Sequence, residues 1–296
     1  MEQPAILYSP EPAYRVRWDM YPDTPMPADE PAGQNPPDGA IIDYYLGSNA
    51  SAEVTLDITD SAGKVVRHFS SKDTMYKIPD VNIPLYWIRP QQILSADSGS
   101  HRFLWDMRYA PLNVPAEYPI SAVVGETAPQ PSAPWVMPGK YTVTLTTGGK
   151  AYSQTLTVKT DPRVKTSTEG LQWQFKLSYT CYTDRGYTVP ALKQLTAIQA
   201  QVKVLLDKTT GSIFDSLKAF SGRCNKVNMG TIDGKLKILF DGLQGADVLP
   251  TLQYAESVKI TQFGYGLMWA RWEDLKKSLV IINAELQASN IPPIRY

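Results

Sequence analysis

The sequence predicts a fold in two parts, an antiparallel β-sandwich followed by an antiparallel helical bundle. Between residues 39 and 162, short segments of alternating apolar and polar residues are separated by turn-forming residues, which is typical of strands with one buried face. After residue 162 the apolar residues recur every three or four positions, which indicates amphipathic helices. A chain of 296 residues is long enough for two separate cores. We therefore expect a β domain over residues 39–162 and a helical domain over residues 163–296.

The first 38 residues are rich in proline and predict an extended leader rather than a core element. Proline fixes φ and removes a backbone hydrogen-bond donor, so such a segment extends over a surface. Its aromatic residues indicate that the leader is held against that surface. They are Tyr8, Tyr14, Trp18 and Tyr21.

The alternation places six strands in the β domain. Residues 60–64 form a turn between two of them, and Gly148-Gly149 form another, because glycine adopts positive φ without steric cost. Two long Pro-rich loops, residues 72–98 and 110–138, contain enough apolar residues to be ordered, and loops of this length often carry function. The strands are expected at residues 40–46, 52–59, 65–69, 101–108, 140–147 and 151–158.

The helical domain is predicted to contain three main helices and one or two shorter ones, packed up and down. The first helix begins at Ser167 or Thr168, ahead of Leu171 and Phe175. Two apolar stripes follow, one on a middle helix and one on a long final helix. They consist of Leu192, Leu195, Ile198, Val202 and Leu205, and of Phe263, Leu267, Ala270, Leu275, Leu279, Ile282 and Leu286.

The charge balance argues against a nucleic-acid partner, since 29 basic residues face 29 acidic ones and phosphate binding needs an excess of Lys and Arg. The same balance argues against a polybasic contact with anionic lipid.

The sequence contains no run of 18 apolar residues, so it predicts no membrane span. The segment at residues 1–4 lacks the charged and apolar regions of a signal peptide.

The sequence contains two cysteines, Cys181 and Cys224, and both lie in the helical half. Their spacing matches no metal site, and the two histidines, His68 and His101, lie in the β domain. We therefore predict no metal and no cofactor. Two interpretations remain for the cysteines: two buried free thiols, or a disulfide between two helices if the protein is exported.

Four carboxylates are the candidates for acid–base chemistry of the kind used in glycoside hydrolysis. Asp43 and Asp57 occupy outward positions on strands, where a solvated surface charge is the ordinary explanation. Asp106 lies beside Trp105 and is expected to form an ion pair or a turn hydrogen bond. Glu117 lies in the second long loop.

Aromatic residues are the candidates for ligand binding, because their faces stack on sugar rings and on Pro-rich segments. The four selected residues are Tyr45, Trp87, Trp105 and Trp135. The competing interpretation is structural. In adjacent aromatic pairs such as Tyr86-Trp87, strand alternation places one ring in the core and the other outside.

Six segments carry distinctive motifs: PAGQNPPDGAIIDYYL at residues 31–46, DSAGK at 60–64, HRFLWDMRY at 101–109, PGKYTV at 138–143, LQGADVLPT at 243–251 and ARWEDLK at 270–276. Together they resemble the C-terminal region of bacterial sortilin-like proteins, secreted proteins with Asp-box propeller repeats that are often labelled glycosyl hydrolases. The middle segments are also similar to the Ig-like domain of the flagellar hook-capping protein. The resemblance covers nearly the whole chain but includes no propeller.

The resemblance implies an Ig-like antiparallel β-sandwich followed by an antiparallel helical bundle, in an extracytoplasmic (periplasmic or secreted) parent protein. It implies a non-catalytic accessory module that works with a propeller domain of the same or another chain. We expect the module to bind a glycan or a polypeptide, or to be structural. The alternatives are a carboxylate-based glycoside hydrolase and a dimerisation module.

Overall fold

The structure is a computed structural model that describes residues 4–17, 29, 31, 33, 36–50, 52–118, 125 and 127–296. The chain divides into two compact units, Met1–Phe175 and Lys176–Tyr296. In the described residues two β-sheets are followed by helices, which confirms the predicted order of β structure before α structure. Among the same residues, no helix combines the length and the apolar character needed to cross a membrane.

A three-stranded antiparallel sheet is formed by β1 (Ala5–Leu7), β3 (Ala40–Leu46) and β6 (Gly99–Trp105), in the order β1-β3-β6. Every second residue of β3, from Ala40 to Leu46, is buried. This is the alternation that the sequence predicted, and β3 has the predicted bounds. β6 ends at Trp105, earlier than expected, and two residues later Met107 adopts a positive φ of 55°.

A five-stranded sheet contains β2 (Ala13–Arg15), β8 (Lys150–Thr160), β7 (Gly139–Thr147), β4 (Thr55–Thr59) and β5 (Val65–Ser70), in that order. β2 runs parallel to β8, and the other pairs are antiparallel. The sheet curls into a half-barrel. The β7–β8 turn is formed by Gly148 and Gly149, with φ values of 54° and 73°, as glycine in a tight hairpin turn allows.

One hydrophobic cluster contains residues of both sheets, including Tyr44, Leu56, Trp105 and Leu145. Its largest member, Trp105, is 0% exposed. Gly39 precedes β3 with φ at 136°, and a Cβ at this position would lie 2.6 Å from the carbonyl oxygen of Trp105. The backbone therefore approaches Trp105 at a distance that only glycine permits.

The leader contributes two strands to the sheets, contrary to the expectation of a segment outside the core. Ala5 and Leu7 of β1 and Arg15 of β2 are buried, whereas Tyr8 and Tyr14 are exposed. The described part of the leader is therefore held by strand pairing and by the buried side chains of Ala5, Leu7 and Arg15. The other two predicted anchors, Trp18 and Tyr21, lie outside the described residues.

Four helices follow: α1 (Thr168–Leu206), α2 (Gly211–Val227), α3 (Met229–Gln244) and α4 (Leu252–Ala288). The predicted first and middle helices are one continuous helix, α1, which contains Pro190. The proline ring lies at an exposed position, and Val189 and Ala191 beside it are buried. Packing on both sides of the proline explains why the helix continues, although proline removes one backbone hydrogen bond.

The predicted stripe on the final helix is partly wrong. Leu275, Leu279, Ile282 and Leu286 are buried, but Phe263 is 72% exposed and Leu267 is 48% exposed. The step from Ala270 to Leu275 is five residues, which moves to another face of the helix. The buried face of α4 continues instead through Trp272, Met268, Thr261 and Val258.

The last residues pack back onto the helices through two side-chain amides. Asn283 of α4 accepts from the backbone N–H of Ile294 at 2.8 Å and donates to its carbonyl at 3.0 Å. Gln201 of α1 makes the same pair of bonds with Arg295, at 3.0 and 2.5 Å. Ile294 is buried in the helical core as a result.

Candidate functional site

The two long Pro-rich loops are tied to each other by backbone hydrogen bonds. Arg89 donates its backbone N–H to Thr127 O at 2.8 Å, and Thr127 donates its own to Trp87 O at 3.1 Å. Arg89 also forms an ion pair with Asp38, with Nη1 at 2.9 Å from Oδ2. The first loop is therefore fixed at both its backbone and a side chain.

A second set of bonds orders the other loop. Val136 N–H donates to Met107 O at 2.9 Å, Tyr109 N–H to Pro134 O at 3.1 Å, and Gln130 N–H to Glu117 O at 2.7 Å. Since backbone groups without partners are costly to bury, these bonds account for how irregular loops can contact a core. Residues 119–124 and 126 lie outside the described part of this loop.

Next to the hydrogen bonds that join Trp87 and Arg89 to Thr127, a 3-10 turn of the first loop carries apolar side chains. It spans Leu85–Trp87 and follows Pro84, whose φ of −59° is the value that the proline ring fixes. Leu85 is 65% exposed and Tyr86 is 72% exposed. Trp87 is half-buried and meets Tyr86 edge to face, with ring centroids 6.3 Å apart. We call Leu85, Tyr86 and Trp87 the loop tip.

Two more exposed side chains lie on the same loop, Met75 and Tyr76. The Gln91 side chain holds the backbone of Tyr76 at both ends, accepting from its N–H at 2.8 Å and donating to its carbonyl at 2.9 Å. The Tyr76 hydroxyl lies 2.9 Å from the Tyr118 hydroxyl. Burial and this hydrogen bond raise the pKa of Tyr118, so the Tyr118 hydroxyl stays neutral at ordinary pH.

Trp135, a predicted ligand-binding residue, is instead covered by three arginines of the same unit. It is 7% exposed, and the guanidinium carbons of Arg15, Arg17 and Arg108 lie 5.2, 4.5 and 4.8 Å from its ring centroid. Guanidinium groups at such distances form cation–π contacts. The ring is therefore occupied by the protein's own cations and is not available to a ligand in this structure.

The arginines around Trp135 also bind backbone carbonyls. Arg15 Nη1 donates to Val136 O at 2.8 Å, and Arg108 Nη1 donates to Ala133 O at 3.0 Å. Burial lowers the pKa of Arg108 to about 10, with the positive charge of Arg17 acting in the same direction. These contacts indicate a structural role, namely holding the chain around Trp135 in place.

Of the other two predicted binding residues, Trp105 is a core residue and Tyr45 is half-buried on β3. Trp105 donates its indole N–H to Arg108 O at 3.0 Å and packs edge to face on Tyr141. A ring with no exposed surface cannot stack on a ligand, so Trp105 leaves the candidate set. Within the described residues, Trp87 is the predicted binding residue that lies at the loop tip, and sequence reasoning missed Leu85 beside it.

Three of the four predicted acid–base carboxylates, Asp43, Asp57 and Asp106, have partners of their own. Arg102 binds Asp43 with two hydrogen bonds of 2.9 and 2.8 Å, which hold the pKa of that carboxyl below its usual range. His68 Nδ1 lies 2.7 Å from Asp57 on the neighbouring strand. Asp106 accepts a hydrogen bond from Arg108 N–H at 3.1 Å, as a turn residue does.

Asp184 on α1 is a carboxylate that sequence reasoning did not select. Burial raises its pKa, and Gln262 of α4 donates to its Oδ2 at 2.9 Å. Tyr265 and Trp269 stack nearby with ring centroids 5.8 Å apart. Burial raises the pKa of Tyr265, and the negative charge of Asp184 acts in the same direction. No local motif marks this residue, because the environment comes from a helix far along the chain.

Cys181 and Cys224 are both free thiols, and both are buried in the helical core. Burial raises the pKa of Cys181 to about 12 and that of Cys224 to about 11. The structure therefore agrees with the interpretation of two buried thiols and contains no disulfide between them. A thiol with a raised pKa is a poor nucleophile.

An open depression of about 330 Å³ lies beside β1 and β8, lined by residues 4–7 and 152–154, and none of these carries a charge. Across the described part of the chain, no group of three or more His, Cys, Asp and Glu residues is placed to hold a metal ion.

Comparison with known proteins gives no significant match to any protein-family model, curated protein or solved structure.

Proposed function

We propose that the chain is a non-catalytic binding or structural module that contacts a polypeptide partner through the loop tip. The observation that carries the proposal is the exposure of Leu85 and Tyr86, at 65% and 72%, on a loop whose backbone is hydrogen-bonded to Thr127 through Trp87 and Arg89. A preformed apolar tip loses little conformational entropy on binding. Exposed apolar groups on an ordered loop are typical of interaction surfaces.

A polypeptide is favoured over a glycan by the composition of this surface. Leu85 and Met75 carry no strong hydrogen-bonding group, whereas sugars require hydrogen bonds for most of their hydroxyls. Aliphatic and aromatic side chains together suit an apolar segment of another protein. A glycan is the second candidate, favoured by the exposed ring of Tyr86.

The engaged carboxylates support a non-catalytic role. Glycoside hydrolysis uses one carboxyl group with a raised pKa and a second carboxylate across the scissile bond. The pKa of Asp43 is lowered by Arg102, which is the opposite of what a general acid requires. Asp184 has a raised pKa, but its hydrogen-bond partner is an amide, Gln262.

We further infer the finer architecture and the context of the module. A single apolar cluster filled by both sheets supports an Ig-like β-sandwich for the first unit, and a common core for α1 to α4 supports an antiparallel helical bundle for the second. The resemblance of the motif segments to sortilin-like proteins supports an extracytoplasmic parent protein and a propeller domain as the neighbour. The DSAGK segment coincides with the β4–β5 turn, and PGKYTV with the start of β7.

The polypeptide hypothesis can be tested by panning a random peptide library displayed on phage against the immobilised chain. The double variant L85A/Y86A should lose at least about tenfold in affinity for the selected peptides, because truncating anchor residues of this size removes most of a small interface. Tyr8→Ala is the matched control, since Tyr8 is an exposed tyrosine outside the loop. Titration of labelled peptides would give the dissociation constants.

The alternatives predict different results in parallel assays. Binding on a glycan array that L85A/Y86A abolishes would replace the polypeptide by a glycan at the same surface. Hydrolysis of a polysaccharide that a single Asp→Asn substitution abolishes would refute a non-catalytic module. Peptides that bind the wild type and L85A/Y86A equally would show that the loop tip is not the contact.

A further inference from the structure

Helix α4 has one face in the helical core and a second face that is exposed. The buried face contacts the helical core through residues such as Met268, Trp272 and Leu279. On the opposite face, Phe263, Gly266, Leu267 and Ala270 are all exposed. Because side chains seven residues apart lie on nearly the same side of a helix, this face continues in both directions along α4.

The exposed face follows a seven-residue spacing with a particular order of chemistry. Along its centre lie Glu256, Phe263, Ala270 and Lys277, each exposed. The series reads acid, large apolar, small apolar, base. When a second copy of this series is placed alongside in the antiparallel direction, each base lies opposite an acid and each small apolar residue lies opposite a large one. We call these four positions the α4 seam.

We propose that the α4 seam binds the same seam of a second copy of this chain, with the two helices antiparallel. A two-fold axis between Gly266 and Leu267 would place Glu256 opposite the second copy's Lys277, and Phe263 opposite its Ala270. Self-complementary patches are what an isologous two-fold interface requires. This inference is independent of the loop tip, which lies in the other unit.

Residues flanking the seam repeat the complementarity. The same axis places Lys259 opposite Asp274, and Leu252 opposite Ile281 at the two ends. Leu252 and Ile281 are exposed at 77% and 62%. Two charge pairs and two apolar contacts therefore arise on each side of one axis, and charge pairs at flanking positions set orientation in helix pairs.

The centre of the face allows close approach of the two helices. Gly266 has no atom within 4 Å of a Cβ built on it, so its surface is open. Gly266 and Ala270 are four residues apart, and small residues at this spacing let a large side chain such as Phe263 insert between helices. One helix pair is a small interface, so we expect a dissociation constant of about 1–100 μM.

The test is sedimentation-velocity centrifugation of the whole chain over a range of concentrations. The wild type should shift from monomer to dimer. K277E should weaken the dimer at least about tenfold, because the substituted glutamate would face Glu256 of the other copy twice per dimer. K208E, which makes the same charge change at an exposed position outside α4, is the matched control and should dimerise like the wild type.

Two rescue experiments make the register falsifiable. The double variant E256K/K277E should dimerise like the wild type, and an equimolar mixture of E256K and K277E should form a heterodimer at concentrations where each variant alone is monomeric. A monomer for the wild type at hundreds of micromolar, with the face then free for another partner, would overturn the proposal. So would a dimer that K277E leaves unchanged. Circular dichroism of each variant would check that the helices are intact.

Discussion

At the residue scale, Gly39 is a position where the backbone leaves no room for a side chain. Its φ of 136° and the approach to Trp105 O are both incompatible with a Cβ. We expect Gly39→Ala to lower the free energy of unfolding by about 3 kcal/mol, since a strained backbone and a displaced strand each contribute. Urea unfolding followed by circular dichroism would measure it.

Gly139→Ala is the control for this substitution. Gly139 lies in β7 with open space around a Cβ and without a positive φ. The expected change is within about 1 kcal/mol and has the opposite sign, because alanine reduces the entropy of the unfolded chain. Equal losses for the two variants would contradict the account of Gly39.

The two cysteines give a pH-dependent prediction at the same scale. Their folded pKa values of about 12 and about 11 lie above the ordinary value of 9.0, so burial favours the neutral thiol. At pH 8 a thiol reagent should therefore label the native chain at least about a hundredfold more slowly than the chain unfolded in urea. The exposed variant Ser212→Cys should label at once, and rapid labelling of native Cys181 or Cys224 would refute the buried geometry.

The linked effect on stability has a definite sign. A group whose pKa is raised on folding stabilises the fold fully below its unfolded pKa. This stabilisation is lost as the pH rises toward the folded pKa. The helical unit should thus lose stability from about pH 9, where the thiols of the unfolded chain ionise, until the folded thiols ionise too, near pH 11 for Cys224 and near pH 12 for Cys181.

At the scale of secondary-structure elements, the sequence predicted the strands and helices that a local residue pattern defines. The alternation of apolar and polar residues predicted β3 with the bounds that the structure has, because its seven residues alternate between a buried and a half-exposed face of the sheet. β1 and β2 were missed since three residues among prolines are too short to show a period. Their burial depends on strand partners far along the chain, which no local pattern contains.

In helix α4 the local pattern predicted burial for residues that are exposed in the structure. Phe263 and Leu267 look like a continuation of the apolar stripe, yet the buried face continues through Trp272 and Met268. An apolar residue on an amphipathic helix can serve either the core or a second surface. Only the packing of α2 and α3 against α4 decides between them.

Only part of the candidate site could be predicted, because the sequence shows which residues are aromatic but not which long-range contacts cover them. Trp87 was selected from the sequence because aromatic faces stack on sugar rings and on Pro-rich segments, with the alternation of adjacent aromatic residues as the competing structural interpretation. In the structure Tyr86 is the exposed member of the pair and Trp87 is half-buried. Trp105 and Trp135 were selected on the same grounds, but their surroundings are set by long-range contacts. The arginines over Trp135 come from positions as distant as Arg15.

At the scale of the whole molecule, the two hydrophobic clusters share no residue. One contains side chains of the strands, including Trp105, and the other contains side chains of α1 to α4, including Trp272. We therefore expect each cluster to contribute a stability of its own, as domains with separate cores do. Substitutions placed in one unit at a time can separate the two contributions.

We expect calorimetry to resolve two unfolding transitions that respond to different variants. Gly39→Ala should lower the melting temperature of one transition only. Asn283→Ala should destabilise the other unit by about 1–3 kcal/mol, because it leaves the N–H and carbonyl of buried Ile294 without partners. Hydrogen exchange read by mass spectrometry would assign the first transition to β3 and β6 and the second to α1 and α4. A single transition that both variants lower equally would mean that the two cores unfold as one cooperative unit.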